Sequence, residues 1–242
     1  MMKATDFEFR NRFWVIGAYF FVAFSLYNLD RLNVVQFLID RTVGRGAPNG
    51  DAIARAAFAF AALLVFAAAL IRTWAAAYLR SNVVQDPNLH TEAVVADGPY
   101  RHLRNPLYLG TILIACGIAF LASRIGAVVL VVGLTLFCLR LIGLEESKLG
   151  QQQGESYREF CRRVPRLWPS ISPRLPASGL DPRWRQAFLG EIFVWGFFVA
   201  LAAFAITLKI VLTWVIMALA LLLYIVRSYI LYGRNKRAAA SK

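Results

Sequence analysis

The apolar residues of this chain come in long blocks rather than in stripes, and that leaves few folds open to it. Of its 242 residues 59% are hydrophobic and only 17% are charged, where a soluble domain carries about a quarter. Six blocks read as membrane spans: about Phe13 to Leu29, Ala54 to Leu79, Leu107 to Ser123, Ile125 to Gly143, Phe188 to Leu208 and Ile210 to Tyr232. Only a turn around Arg124 separates the third from the fourth, which predicts a tight helical hairpin. The expected fold is all-α, a polytopic membrane bundle of about six transmembrane helices around that hairpin. No internal repeat is visible.

A cleaved signal peptide does not suit the first block, because Asp6 and Glu8 spoil a basic n-region and no clear small-residue cleavage site follows. The net charge of +13 suggests nucleic acid at first sight. The basic residues lie between apolar spans, however, and no nucleic-acid motif appears, so no nucleic-acid partner is expected. Flanking charge that sets membrane orientation explains them better. Arginines and lysines crowd the segments Arg80 to Arg104, Arg140 to Arg185 and the tail after Tyr232. These segments, and with them both termini, are expected on the cytoplasmic side. The loop Asp30 to Asp51 then lies outside, with an interfacial helix at Leu32 to Ile39. Arg72, near the end of span two, has two readings: it snorkels to the interface, or it faces a polar cavity.

Cys116, Cys138 and Cys161 form no CxxC pair, and His90 and His102 are too far apart for HxxxH spacing. No metal site is expected.

Polar equipment gathers at two places. The first is GPYRHLRNPLYLG, Gly98 to Gly110, at the start of span three. Asp97-Gly98-Pro99 reads as a turn, and Asn105-Pro106 as an N-cap followed by a first-turn proline. Those roles leave Tyr100, Arg101, Arg104 and Tyr108 unexplained. The second is RLIGLEESKLGQQQGESYREFCRRVPRLWP at the end of span four. Two spans of about 18 residues carry the chain out and back across a ~30 Å hydrocarbon core. The start of span three and the end of span four therefore sit side by side, and Tyr108 should meet Glu145. Glu145 and Glu146 point about 100° apart on a helix, so one faces the site while the other meets solvent or a cation. Surface pairing with Lys148 or Arg140 is the plainer alternative. GESYREFCRRVP reads as a short amphipathic helix in which Glu159 meets Arg162 or Arg163, ended by Val164 before Pro165. It lies on anionic lipid, folds back as a lid over the first cluster, or does both.

In this order and spacing the two clusters resemble the isoprenylcysteine carboxyl methyltransferase and phospholipid methyltransferase superfamily. The matching pieces are GPY at Gly98 to Tyr100, RNPLY at Arg104 to Tyr108, the Glu145-Glu146 pair, GESY at Gly154 to Tyr157 and RVP at Arg163 to Pro165. The resemblance covers about Gln85 to Pro169. It implies S-adenosylmethionine as cofactor, a pocket on the cytoplasmic side of the hairpin, and an amphiphilic or lipid-like acceptor (carboxylate, thiol or amine) drawn from the bilayer. It suggests Gln85, Glu92, Ala93, Val94, Val95, Tyr100, Asn105, Pro106, Leu107, Tyr108 and Glu145 as cofactor contacts. Glu145 and Arg140 are the catalytic candidates. Arg140 either holds an acidic or phosphate-bearing acceptor or snorkels. The departure is Asn105, where the family usually has histidine; an amide hydrogen-bonds but carries no charge. The resemblance divides the chain into residues 1–84 with the first two spans, a cofactor-binding core at 85–170, and residues 171–242 with the last two spans. An NADPH-dependent membrane reductase of the sterol type, which shares the hairpin and an RRVP ending, is the nearest rival. A non-catalytic scaffold is the other.

Overall fold

A computed structural model describes residues 3–46, 48–79 and 97–240. Ten helices and no strands occur among them. They are α1 (Asp6–Arg10), α2 (Arg12–Ser25), α3 (Val34–Thr42), α4 (Gly50–Tyr78) and α5 (Pro106–Ala119). Then come α6 (Arg124–Gln153), α7 (Glu155–Arg163), α8 (Trp184–Gly190), α9 (Ile192–Thr207) and α10 (Ile210–Ala240).

Among the described residues three helices are long and apolar enough to cross a membrane: α4, α6 and the Ile210–Tyr229 part of α10. The α8–α9 pair, bent by 62° at its junction, makes a fourth if counted as one span. The sequence expectation of six is thereby reduced. The first apolar block folds as α2, 14 residues ended by the turn Leu26–Asn28. The third folds as α5, also 14 residues, from Pro106 to the turn after Ala119. At 1.5 Å per residue either helix is only about 21 Å long, short of a ~30 Å core.

The outer end of the hairpin is stapled from α3. Asn33 caps α3 by accepting from the Val35 and Gln36 backbone N–H groups. Its Nδ2 also donates to the Phe120 and Ala122 carbonyls, each at 3.1 Å. Asp30 beside it pairs with Arg124 at 2.9 Å and accepts from the Ile125 N–H. Ser123 caps the start of α6 by accepting from the Gly126 N–H.

The core lies where α4 runs along α5 and α9, with α6 behind α5. Small residues let the backbones approach: Ala61, Ala68 and Ala69 on α4 meet Ala115 on α5, and Val65, Leu130, Leu134 and Leu201 complete the packing. Ala4 and Phe9, at the start of the chain, belong to this same core. A Cβ at Gly117 would lie 2.5 Å from Val65 Cγ2 and 2.8 Å from the Ala61 carbonyl oxygen. Gly117→Ala is therefore expected to push α5 off α4, costing about 1–3 kcal/mol. The check is the thermal midpoint in detergent against Gly17→Ala, where the added Cβ meets nothing within 4 Å and the midpoint should hold.

Candidate active site

At the end of the bundle opposite Arg124, residues 97–105 form a strap between α4 and α5. Gly98 opens it with φ +54, and its Cα lies so tight on Tyr78 that a Cβ would sit 2.3 Å from the ring. Asp97 anchors it: its Oδ2 accepts from the Leu180 N–H at 3.0 Å, the Ser178 hydroxyl at 2.7 Å and the Ser178 N–H at 3.1 Å. The Leu180 amide and the Ser178 hydroxyl hold this carboxyl below its ordinary range. The chain after α7 wraps the strap's other side. Arg104 N–H donates to the Pro165 carbonyl, Ser170 N–H to the His102 carbonyl and Arg174 N–H to the Arg101 carbonyl. His102 Nδ1 donates to the Ser170 carbonyl at 2.8 Å, so His102 serves the scaffold.

The two polar clusters meet here. Tyr108 Oη donates to Glu145 Oε1 at 2.7 Å. The Glu pair splits as helix geometry requires. Glu146 turns to the strap, where it pairs with Arg104 at 3.3 Å and Arg166 at 3.0 Å and accepts from Asn105 Nδ2 at 3.2 Å. Asn105 stands at the N-cap position of α5 but makes no side-chain cap. Its amide is used instead on Glu146 and on the Arg166 carbonyl, at 3.1 Å. The expected helix start at Asn105-Pro106 is thus present, but the Asn105 side chain serves as a tie between α5 and the end of α6 rather than as a cap.

Tyr100 is 8% exposed, and its hydroxyl has no hydrogen-bond partner among the described residues. Burial, then the charge of Glu145, raises its pKa, so the phenol is a neutral donor. Arg72 and Glu191 also lie within electrostatic reach of it. Pro106 is buried under the strap. Leu107 contributes its carbonyl, which accepts from Arg72 Nη1 at 3.2 Å.

Arg72 settles its two readings in favour of the interior. It grips Glu191 through Nε at 2.7 Å and Nη2 at 3.0 Å, and donates to Thr111 Oγ1 at 2.9 Å. Glu191 sits at the α8–α9 bend and is 4% exposed. The sequence reading gave Glu191 and Thr111 no role, because a pair so distant along the chain leaves no local pattern.

The same is true of the N-terminal segment. A Thr5–Glu8 capping box closes α1. Glu8 then pairs with Arg140 at 2.8 Å, Asp6 pairs with Lys148, Lys3 donates to Ser147 at 2.8 Å, and the Ala4 N–H donates to the Arg140 carbonyl at 2.9 Å. Arg140, expected to hold an acceptor or to snorkel, has Glu8 as its partner. Arg12, buried against the rings of Phe9 and Phe13, brings its charge within reach of Tyr108 and Glu145. The T-x-x-E capping box was the one signal in the sequence that announced this segment. Gln85, Glu92, Ala93, Val94 and Val95 fall outside the described residues.

α7 forms as expected, with Glu159 on Arg163 at 2.7 Å and Val164 extended at its end. Tyr157, Phe160 and Val164 bury themselves against Leu149 and Leu175, which lays the helix along the end of α6.

An all-α chain with three or four helices among the described residues long and apolar enough to cross a membrane, and a half-buried carboxylate–phenol pair at one end of them, is a multi-pass integral membrane protein. Residues 56–155, from α4 to the start of α7, match the family model described as phospholipid methyltransferase. Over that segment the chain is similar to the family, whose members are S-adenosylmethionine-dependent methyltransferases of the isoprenylcysteine carboxyl methyltransferase and phospholipid methyltransferase superfamily. No curated protein and no solved structure matches it significantly.

Two outcomes follow for the scaffold. Asp97 has a lowered folded pKa, so its contribution is complete above the ordinary carboxylate range and is lost as pH falls through the folded value. Asp97→Asn should be less stable than the wild type at pH 7, and the two should converge in acid, measured as thermal midpoint against pH. Glu146→Ala leaves Arg104 and Arg166 without their carboxylate and should cost about 3 kcal/mol, whereas Glu159→Ala, on the exposed face of α7, should cost under about 1 kcal/mol.

Proposed function

We propose that the protein transfers a methyl group from S-adenosylmethionine to a phospholipid-like amphiphile that reaches the site laterally from the bilayer. The supporting observation is the meeting of Tyr108 and Glu145 within electrostatic reach of the Tyr100 hydroxyl, which has no hydrogen-bond partner among the described residues, all within the matched segment. The residues fit the cofactor. Glu145 is a carboxylate suited to an ammonium or to ribose hydroxyls, and Tyr100 is a buried donor without an acceptor among the described residues. When bound, S-adenosylmethionine supplies an electrophilic methyl on a sulfonium sulfur.

In this reading the protein's own work is positioning and exclusion of water. Tyr108 fixes the Glu145 carboxylate by donating to it, and Arg12 supplies a balancing positive charge nearby. Pro106 and the Leu107 carbonyl, locked by Arg72, hold the start of α5 in place. The resemblance adds Gln85 and Glu92 to Val95, which lie outside the described residues, to the cofactor contacts. Asn105 carries no proton between groups, since its amide is engaged with Glu146. Arg140 orders the N-terminal segment against α6, from where it reaches an acidic acceptor only by releasing Glu8. A dry site would favour transfer to an anionic acceptor, because its charge and that of the sulfonium cancel as the C–S bonding pair leaves with the neutral thioether; a neutral amine would gain no such cancellation and would have to shed a proton. The strap, the end of α6 and the basic segment after α7 face the cytoplasm, as the positive-inside rule requires.

The test is the thermal midpoint of the detergent-purified protein with S-adenosylhomocysteine. At about a hundredfold excess over Kd, ligand binding to the folded state alone adds ~2.7 kcal/mol. The wild type should show the upward shift, and Glu145→Gln and Tyr108→Ala should lose most of it while keeping a cooperative transition without ligand. An undiminished shift in Glu145→Gln would remove that carboxylate from the pocket. A shift with NADPH instead would replace the methyltransferase reading by a reductase.

A further inference from the structure

The last two helices lie outside the matched segment, and α10 presents most of itself to lipid: only 11% of its spanning window is buried in the protein. Leu219, Leu222, Leu223 and Val226 are all exposed on it. Within this apolar helix stands Arg227. Its Nε and Nη1 are buried and have no hydrogen-bond partner among the described residues. Two of its three nitrogens are thus turned into the protein, although Arg227 as a whole is half-buried. It turns inward to the α8–α9 bend, where a Cβ placed on Gly190 would come within 3.8 Å of its Nη2.

Charge at that bend does not balance. Glu191 is the acid next to Gly190, and both its oxygens are taken by Arg72, at 2.7 and 3.0 Å. Glu191 acts on Arg227 electrostatically but makes no ion pair with it. Arg72, Glu191 and Arg227 together carry one net positive charge in a partly buried, apolar setting, where an uncompensated cation is costly. Depth narrows the ligand further. Arg227 is about 26 Å along α10 from Ile210, toward the far end of a ~30 Å hydrocarbon core.

From this geometry we infer that Arg227 and the α8–α9 bend form a phosphate-binding site for a phospholipid whose acyl chains run along the exposed face of α10. Glu191 links this site to the strap, since Arg72 joins Glu191 to the Leu107 carbonyl and both lie within reach of Tyr100. The inference rests on the proposed lipid acceptor for its biological sense, but not for its geometry. It assigns the C-terminal helices a role in holding the lipid by its phosphate.

The experiment compares dioleoylphosphatidylglycerol with dioleoylglycerol, which has the same chains and no phosphate, titrated onto the full-length protein in detergent and read by native mass spectrometry. The wild type should prefer the phospholipid by about tenfold or more, the equivalent of one charge-assisted contact. Arg227→Gln should abolish that preference while keeping its thermal shift with S-adenosylhomocysteine. Gly190→Leu, which keeps the charge and crowds the guanidinium, should do the same and carries the test if Arg227→Gln does not fold. An intact preference in either folded variant overturns the site. So does stabilisation of the wild type by inorganic phosphate to the same midpoint as by the phospholipid, which would mark a site for a free anion. Loss of the preference with no cofactor response in the wild type would leave the lipid site standing and sink the methyltransferase pocket instead.

Discussion

Arg72 holds the site end of the molecule together. From one guanidinium it reaches the α8–α9 bend through Glu191, and the first turn of α5 through the Leu107 carbonyl and Thr111. A buried pair of this kind gains little over a hydrophobic replacement, because both ions have left water. What it provides is position. Breaking it from either side leaves a charge stranded in an apolar bundle, so alternative packings of α4, α5 and α9 are penalised. The strap, the bend and the start of α5 are thus fixed relative to one another before any ligand arrives.

The paired glutamates show the same division between scaffold and chemistry. Glu146 is consumed by Arg104, Arg166 and Asn105, and so joins the strap to the end of α6 and to the chain after α7. Glu145, one residue earlier, has a tyrosine rather than an arginine as its hydrogen-bonded partner. A phenol satisfies one lone pair and leaves the rest of the carboxylate available. Tyr100, whose hydroxyl has no hydrogen-bond partner among the described residues, lies within electrostatic reach of that carboxylate.

Much of this was readable from the chain. The meeting of Tyr108 with Glu145 followed from a hairpin of two short spans, and the splitting of the Glu pair from 100° per residue. The amphipathic α7 and its end at Val164 followed from spacing and from Pro165. The number of spans did not, because hydropathy counts apolar residues and ignores where a helix stops: Pro106 and the turn after Ala119 cut α5 short, and the turn Leu26–Asn28 does the same to α2. The N-cap at Asn105 was a sound local expectation that a tertiary partner, Glu146, overrode. Arg72–Glu191 and the α1–α6 contacts were invisible for one shared reason. They join residues more than a hundred positions apart, and no periodicity encodes such a pair.

The docking of α1 onto α6 has a bearing on how the molecule is made. Lys3, Ala4, Asp6 and Glu8 all find their partners between Arg140 and Lys148. Those partners leave the ribosome long after the segment that needs them. Until then a five-residue segment such as α1 has no stable helix of its own, and Phe9 lacks the core that it packs into in the folded chain. The closing of the site end is therefore ordered in time as well as in space. Whatever is attached ahead of Lys3 during synthesis stands directly in the path of that final contact.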